Sequence, residues 1–371
     1  TPFFWIGDTN WPLNTARCGI GSSTPEHADE SSPFWTYLRR RHDQGFTLIQ
    51  TSFWRSYLGA PQRNEGGYPF PSNTFAEDRT ALDNADFSEL NPDYFHYLDY
   101  RMVALHQAGF VVSGHPNWFG RHVNNSLEDA LHLERYFLMR YGAFNTVFSL
   151  TGEYDRGTRL WPAGKGDWLE PHKRWTEDEF RLLGRLTAPF NRYGHPLTVH
   201  PGGDDKTSVP HFHSEPWLDH NWTQVGGGAF GSGLPLIASV HRHAYDARPV
   251  KPVVHSESQY EGNLMAYSDE NPEDRCTADV VRYEALAAFF SGACGHTYGA
   301  NGTWQFYDPA DDERDRQRVD LFPIEWRRAL DLDGARHVTG IRRFAERLGL
   351  GQYFGLVPAR RHLLVNDEPV S

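Results

Sequence analysis

Two glutamates, Glu153 and Glu257, each follow an apolar run of strand character, in "FSLTGEYD" and "PVVHSESQYEG". Cleaving a glycosidic bond needs two carboxyl groups flanking it: one protonates the departing oxygen, and the other attacks the anomeric carbon or activates water. A single glutamate after a strand carries no such meaning, because acidic residues often follow strands. A pair does, if the fold brings together two positions about a hundred residues apart in the chain.

The elements that would position them are legible as a repeating pattern. Short β-type runs occur at 3–7, 47–54, 110–114, 146–152, 196–200 and 252–257, with weaker ones at 221–226 and 296–304. Most are apolar throughout rather than alternating, as expected of parallel strands buried on both faces. Helical signals lie between them. "FWTYLRRRHDQG" follows the first run, and Phe95, Leu98, Met102 and Leu105 share one face before Gly109. Thr176 and Glu179 form a capping box, Val280, Tyr283, Ala287 and Phe290 form another stripe, and a last helix falls near 325–348. Eight strand–helix units predict an α/β fold, a (β/α)8 TIM barrel. An open doubly wound sheet would carry a glycine-rich phosphate loop after its first strand, where this chain has "GDTNWPL". The expected division is a catalytic barrel at 1–348 and a tail at 349–371 that starts a small β appendage or covers the barrel.

In such a barrel the C-terminal strand ends converge on one face. The residues expected there are Asp8, Asn10 and Trp11; Trp54 and Arg55; His115, Asn117 and Trp118; Glu153 and Tyr154; His200; Glu257, Tyr260 and Glu261; Tyr298, Asn301 and Trp304. Aromatic rings stack on the C–H faces of a sugar, while carboxylates, amides and imidazoles match its hydroxyls. The predicted partner is therefore a glycan or glycoside. Glu153 and Glu257 are the predicted catalytic pair, and Asp8, Trp11, Trp54, His115, Trp118, Tyr154, His200, Tyr260, Glu261, Tyr298 and Trp304 the predicted substrate contacts. About a third of these aromatics are expected to be barrel core instead. Glu261 has two readings, holding Glu257 or the substrate, or pairing with an arginine at the start of the next element.

Other classes fit less well. The net charge of −12 opposes binding to a phosphate backbone, and no apolar stretch approaches the roughly 20 residues that span a bilayer. Cys18, Cys276 and Cys294 are too few and scattered for a disulfide scaffold or a zinc site. No targeting segment is visible near Thr1, which leaves cytoplasmic and secreted locations both open. His211 and His213 form an HxH downstream of Asp204 and Asp205, but metal-dependent barrel hydrolases use that pattern after the first strand. No cofactor or metal is expected. Ser256 lacks the glycine framework of a nucleophile elbow.

Together "PFFWIGDTNWPL", "FSLTGEYD", "PVVHSESQYEG" and "CGHTYGANGTWQFYD", in this order across nearly the whole chain, resemble the apiosidase-like family of (β/α)8 glycoside hydrolases. The resemblance implies a retaining, exo-acting hydrolase of branched or furanose sugars, with Glu153 as acid/base and Glu257 as nucleophile. There are two departures. Many members carry aspartate where Glu153 stands, and the broader clan places asparagine where this chain has Gly152, so the usual contact to the sugar 2-hydroxyl comes from elsewhere or is absent. A carbohydrate-binding barrel without catalysis and a metal-dependent hydrolase remain the alternatives. Oligomeric state and the sugar cleaved are not legible.

Overall fold

The computed structural model describes residues 3–22, 29–54, 63–70, 87–116, 126–155, 175–202, 206–225, 233–264, 275–310, 323–353, 355–358, 364–365 and 368–369. Eight strands form one sheet: β1 (Trp5–Thr9), β2 (Leu48–Ser52), β3 (Val111–His115), β4 (Thr146–Ser149), β5 (Leu197–Thr198), β6 (Asn221–Gln224), β7 (Val253–Glu257) and β8 (Gly295–Tyr298). Their order is β5-β4-β3-β2-β1-β8-β7-β6, and every pairing is parallel. The ends, β5 and β6, are tied by the Asp219 amide donating to the Leu197 carbonyl at 3.0 Å and the Thr198 hydroxyl donating to the His220 carbonyl at 3.0 Å. The result is a nearly closed (β/α)8 barrel.

The helices that the sequence marks are present, together with two it does not mark, Leu127–Tyr141 and Gly233–Asp246. Helix α1 (Pro33–Gln44) is capped by Ser32 and ends at Gly45, whose φ of 94° suits a residue without a Cβ. Helix α2 (Pro92–Gln107) buries Phe95, Leu98, Met102 and Leu105 as predicted. Helix α3 (Leu127–Tyr141) precedes β4, and α4 (Glu177–Thr187) opens with both halves of the Thr176–Glu179 capping box. A four-residue turn, α5 (Val209–Phe212), is followed by α6 (Gly233–Asp246), α7 (Ala278–Phe290), α8 (Trp326–Ala329), α9 (Asp333–Leu348) and α10 (Leu350–Tyr353). The stripe on α7 runs differently from expectation. Val280, Val281, Glu284, Ala285 and Ala288 are buried, whereas Tyr283 is 43% and Phe290 51% exposed. In the tail, Leu364–Val365 and Glu368–Pro369 form a short antiparallel pair.

Two apolar layers set the orientation of every strand residue. Inside the barrel, Trp5, Leu48, Val147, Trp222 and Val254 pack together, with Val111 against them. Outside, Ile6, Ile49, Val112, Phe148 and Leu197 pack toward the helices. Side chains alternate along a strand, so positions two and four residues beyond the inner layer point along the barrel axis toward its C-terminal mouth. There the apolar filling gives way to buried polar groups, among them Gln50, Ser113, His115, His200 and Gln224.

Candidate active site

Four strand ends build the acidic centre. Glu257 is the last residue of β7, and a shift in the β6–β7 register brings it opposite Gln224, whereas His255 pairs with Thr223. Ser256 is thus the extra residue of a bulge, a device that re-aims side chains near functional sites. Its hydroxyl donates to the Thr223 carbonyl at 3.0 Å, and its carbonyl accepts from the Gln50 amide at 3.2 Å, so the bulge is held from both sides. Glu153 follows β4 and has φ of +43°, in the left-handed region that costs a residue with a Cβ roughly 1–2 kcal/mol. The same residue is 94% buried, with 6% of its surface exposed.

These two backbone departures bring the glutamates to one nitrogen. The Gln224 Nε2 donates to Glu257 Oε1 at 3.0 Å and to Glu153 Oε1 at 3.2 Å. Laid end to end, those bonds limit the separation of the two oxygens to about 6 Å, against ~5–5.5 Å between carboxyl groups in retaining glycosidases and ~6.5–9.5 Å in inverting ones. His200 completes the group, with Nε2 3.2 Å from Glu257 Oε2 and Nδ1 2.7 Å from the Pro201 carbonyl. Burial opposes a charge on this imidazole. The hydrogen bond and charge of Glu257, with Glu153 behind it, outweigh burial and hold the His200 pKa above its ordinary value.

The walls are aromatic and neutral. His115 ends β3 with its ring 5.1 Å from Trp11 and 5.5 Å from His200. Burial, reinforced by His200, keeps its pKa well below the usual imidazole value, so the ring is uncharged. Tyr260 and Trp304 lie 5.8 Å apart. Burial and the nearby glutamates push the Tyr260 phenol well above its normal range, against hydrogen bonds from Thr9 and Trp11. Of the residues predicted from strand ends, the structure therefore gathers Glu153, Glu257, His115, His200, Trp11, Tyr260 and Trp304.

Five others turn away. Asp8 lies between inward Gly7 and Thr9 and points at α1, where its Oδ2 accepts from the Tyr37 hydroxyl at 2.6 Å and Arg41 Nε at 2.8 Å. Tyr298 pairs with Asp8 in register and shares its outward face, donating to Glu261. Glu261 also accepts from the Gly334 amide, so it joins Tyr298 to the first turn of α9 rather than meeting a sugar or an arginine. Tyr154 is fully buried, its hydroxyl on the Thr207 carbonyl and its ring 4.8 Å from Phe212. Trp54 packs on Phe70 and Phe87 with its indole N–H on the Pro116 carbonyl. Arg55, Asn117 and Trp118 lie outside the described residues, as do Asp204 and Asp205. His213 pairs with Asn221, and among the described residues no group of three or more His, Cys, Asp or Glu is arranged to hold a metal. No described helix is long and apolar enough to cross a membrane, and all three cysteines are free.

Gln224 is the residue that sequence reasoning missed. It is the last strand residue in the run "NWTQVG", whose strand character is weak, yet the strand-end rule that selects Glu153 and Glu257 selects it equally.

No curated protein matches the sequence. Solved structures with the same fold do. A protein described as a glycoside hydrolase is 20% identical, with 93% of this chain and 71% of that one covered and a TM-score of 0.68. A glycoside hydrolase family 5 protein from Bacteroides vulgatus is also 20% identical, with 93% and 67% covered and a TM-score of 0.67. GH5_18 from Streptomyces cattleya, in complex with GlcNAc, is 11% identical, with 97% and 84% covered and a TM-score of 0.60. The model for the apiosidase-like catalytic domain matches residues 1–351, and with two glutamates sharing one donor at the mouth of a (β/α)8 barrel, the chain belongs to the apiosidase-like family of glycoside hydrolases.

Proposed function

We propose that the protein is a retaining, exo-acting glycoside hydrolase that releases a terminal branched or furanose sugar by double displacement. Glu257 attacks the anomeric carbon as the bond to the departing oxygen breaks, and Glu153 gives that oxygen its proton. Glu153 then takes a proton from water, whose oxygen bonds to the anomeric carbon as the ester to Glu257 breaks. The observation that carries this reading is the pair of hydrogen bonds from Gln224 to both carboxyl groups. It holds one oxygen of each carboxyl within about 6 Å of the other, close to the spacing of a retaining pair. Trp11, Tyr260 and Trp304 offer ring faces to the sugar, and His115 an uncharged hydrogen-bonding edge.

The furanose preference rests on the family, while structural neighbours include an exo-beta-1,4-mannosidase from an Opitutaceae bacterium, 13% identical with a TM-score of 0.56. The test is a panel of 4-nitrophenyl glycosides of apiofuranose, arabinofuranose, galactofuranose, mannopyranose and glucopyranose, with the product anomer followed by NMR. Release of a furanose with retained configuration supports the reading. An inverted product, or turnover of pyranosides alone, overturns the mechanism or the sugar class respectively.

A further inference from the structure

We infer that Gln224 is a third catalytic residue, a single neutral donor that serves both glutamates and follows the negative charge as it moves between them. The inference rests on the double-displacement reading above. At the start of the cycle that scheme puts the charge on Glu257 and a proton on Glu153. After the first step Glu257 is an uncharged ester and Glu153 is ionised, and the second step reverses this. The pair holds one negative charge throughout, but the charge changes owner twice.

A donor fixed to Glu257 alone would stabilise the nucleophile before attack and so oppose the first step. One fixed to Glu153 alone would favour the first step and oppose the second. Gln224 does neither, because its one Nε2 reaches both carboxyls, at 3.0 and 3.2 Å, and a hydrogen bond to the charged partner is about twice as strong as one to a neutral group. The orientation of the amide follows from its neighbours, since an oxygen in that place would face two acceptors. Among the described residues its buried Oε1 has no hydrogen-bond partner, and the residue as a whole is only 9% exposed, so no other described polar contact of the amide competes with the glutamates. The β7 bulge that sets Gln224 level with Glu257 is the local backbone feature that makes the sharing possible.

Among the described residues the ionisable groups bonded to Gln224 are Glu153 from the end of β4 and Glu257 from β7, with His200 from the end of β5 and Tyr260 from the loop after β7 interacting with Glu257 in turn. N–H donation favours the ionised form of each glutamate. Gln224→Met keeps the length of the side chain and removes the donor. In this variant both limbs of the kcat/KM against pH profile, measured on the 4-nitrophenyl glycoside that the wild type turns over, are expected to move to higher pH by about 1 unit. A His200→Asn profile identifies any limb that belongs to the imidazole. Limb positions do not depend on the fraction of folded enzyme, and Gln224→Ala, which asks less of the packing, gives the same comparison if the methionine variant folds poorly. Movement of one limb only, or of neither, overturns the shared-donor role. A wild type inactive on the whole panel, or an active Glu257→Gln, overturns the double-displacement reading and this inference with it, whereas a dead Glu257→Gln beside unmoved limbs in both Gln224 variants overturns this inference alone.

Discussion

His200 points its Nε2 at Glu257 Oε2 from 3.2 Å while its Nδ1 is engaged by the Pro201 carbonyl at 2.7 Å. With Nδ1 donating to that carbonyl, Nε2 carries a hydrogen toward Glu257 only when the ring is cationic. The raised pKa fixes the sign of the linkage. The pair stabilises the fold fully below the unfolded value, ~6.5, and this contribution is lost as pH rises through the folded value. The stability difference between wild type and His200→Asn should therefore shrink as pH is raised from about 6 to about 9. A difference that stays constant over that range, read from urea unfolding, contradicts the ion pair.

The opposite sign holds for the buried histidines outside the mouth. Burial lowers His220 and His296 to about 3 and His241 to about 4, and His255 well below its usual value. These rings are neutral in the fold and take up protons once it opens, so their contribution is complete above ~6.5 and is lost as pH falls toward the folded values. Acid unfolding should begin in that window. In His296→Gln the slope of stability against pH between about 6.5 and about 4 should fall by close to one proton, whatever the substitution does to stability at neutral pH. An unchanged slope would show that His296 takes no part in the acid transition.

The proposed double displacement makes a different prediction for each glutamate. Glu257→Gln removes the nucleophile and should abolish turnover of every substrate. Glu153→Gln removes proton donation, worth about 10²–10⁴-fold in rate, and should spare aryl glycosides with good leaving groups far more than natural substrates. Equal losses on both substrate types contradict the acid/base assignment.

Asp8 tests whether position at a strand end is enough to make a sugar contact. Asp8 and Arg41 are both fully buried, so Asp8→Asn leaves a guanidinium without its counter-charge, at a cost of about 3–5 kcal/mol. Urea unfolding should register that loss, while kcat/KM per folded molecule at a permissive temperature stays within about threefold, because no transition-state contact is removed. A stable variant with a raised KM would place Asp8 in the substrate site after all.

How far the sequence reaches is clearest where it fails. The barrel could be read because most of its strands are apolar runs separated by capped helices, as at Thr176 and Glu179. The same uniformity hides which face each strand residue takes: with both faces buried, no polar alternation marks the phase, and Asp8 and Tyr298, register partners on β1 and β8, fall on the outer side together. Glu153 and Glu257 reach the mouth by a positive φ and a bulge, neither of which periodicity encodes. Gln224 was hidden by the polar composition of its own strand. On α7 the small residues Ala285 and Ala288 face inward beside Glu284, and the larger Tyr283 and Phe290, which look like core in sequence, are left outside.

The most direct test of the central claim is to incubate the enzyme with a 2-deoxy-2-fluoro glycoside of the accepted sugar carrying an activated leaving group, and to locate the adduct by peptide mass spectrometry. One sugar per chain, esterified to Glu257, is the expected result. An adduct on any other residue, or no adduct together with a product of inverted configuration, would contradict it.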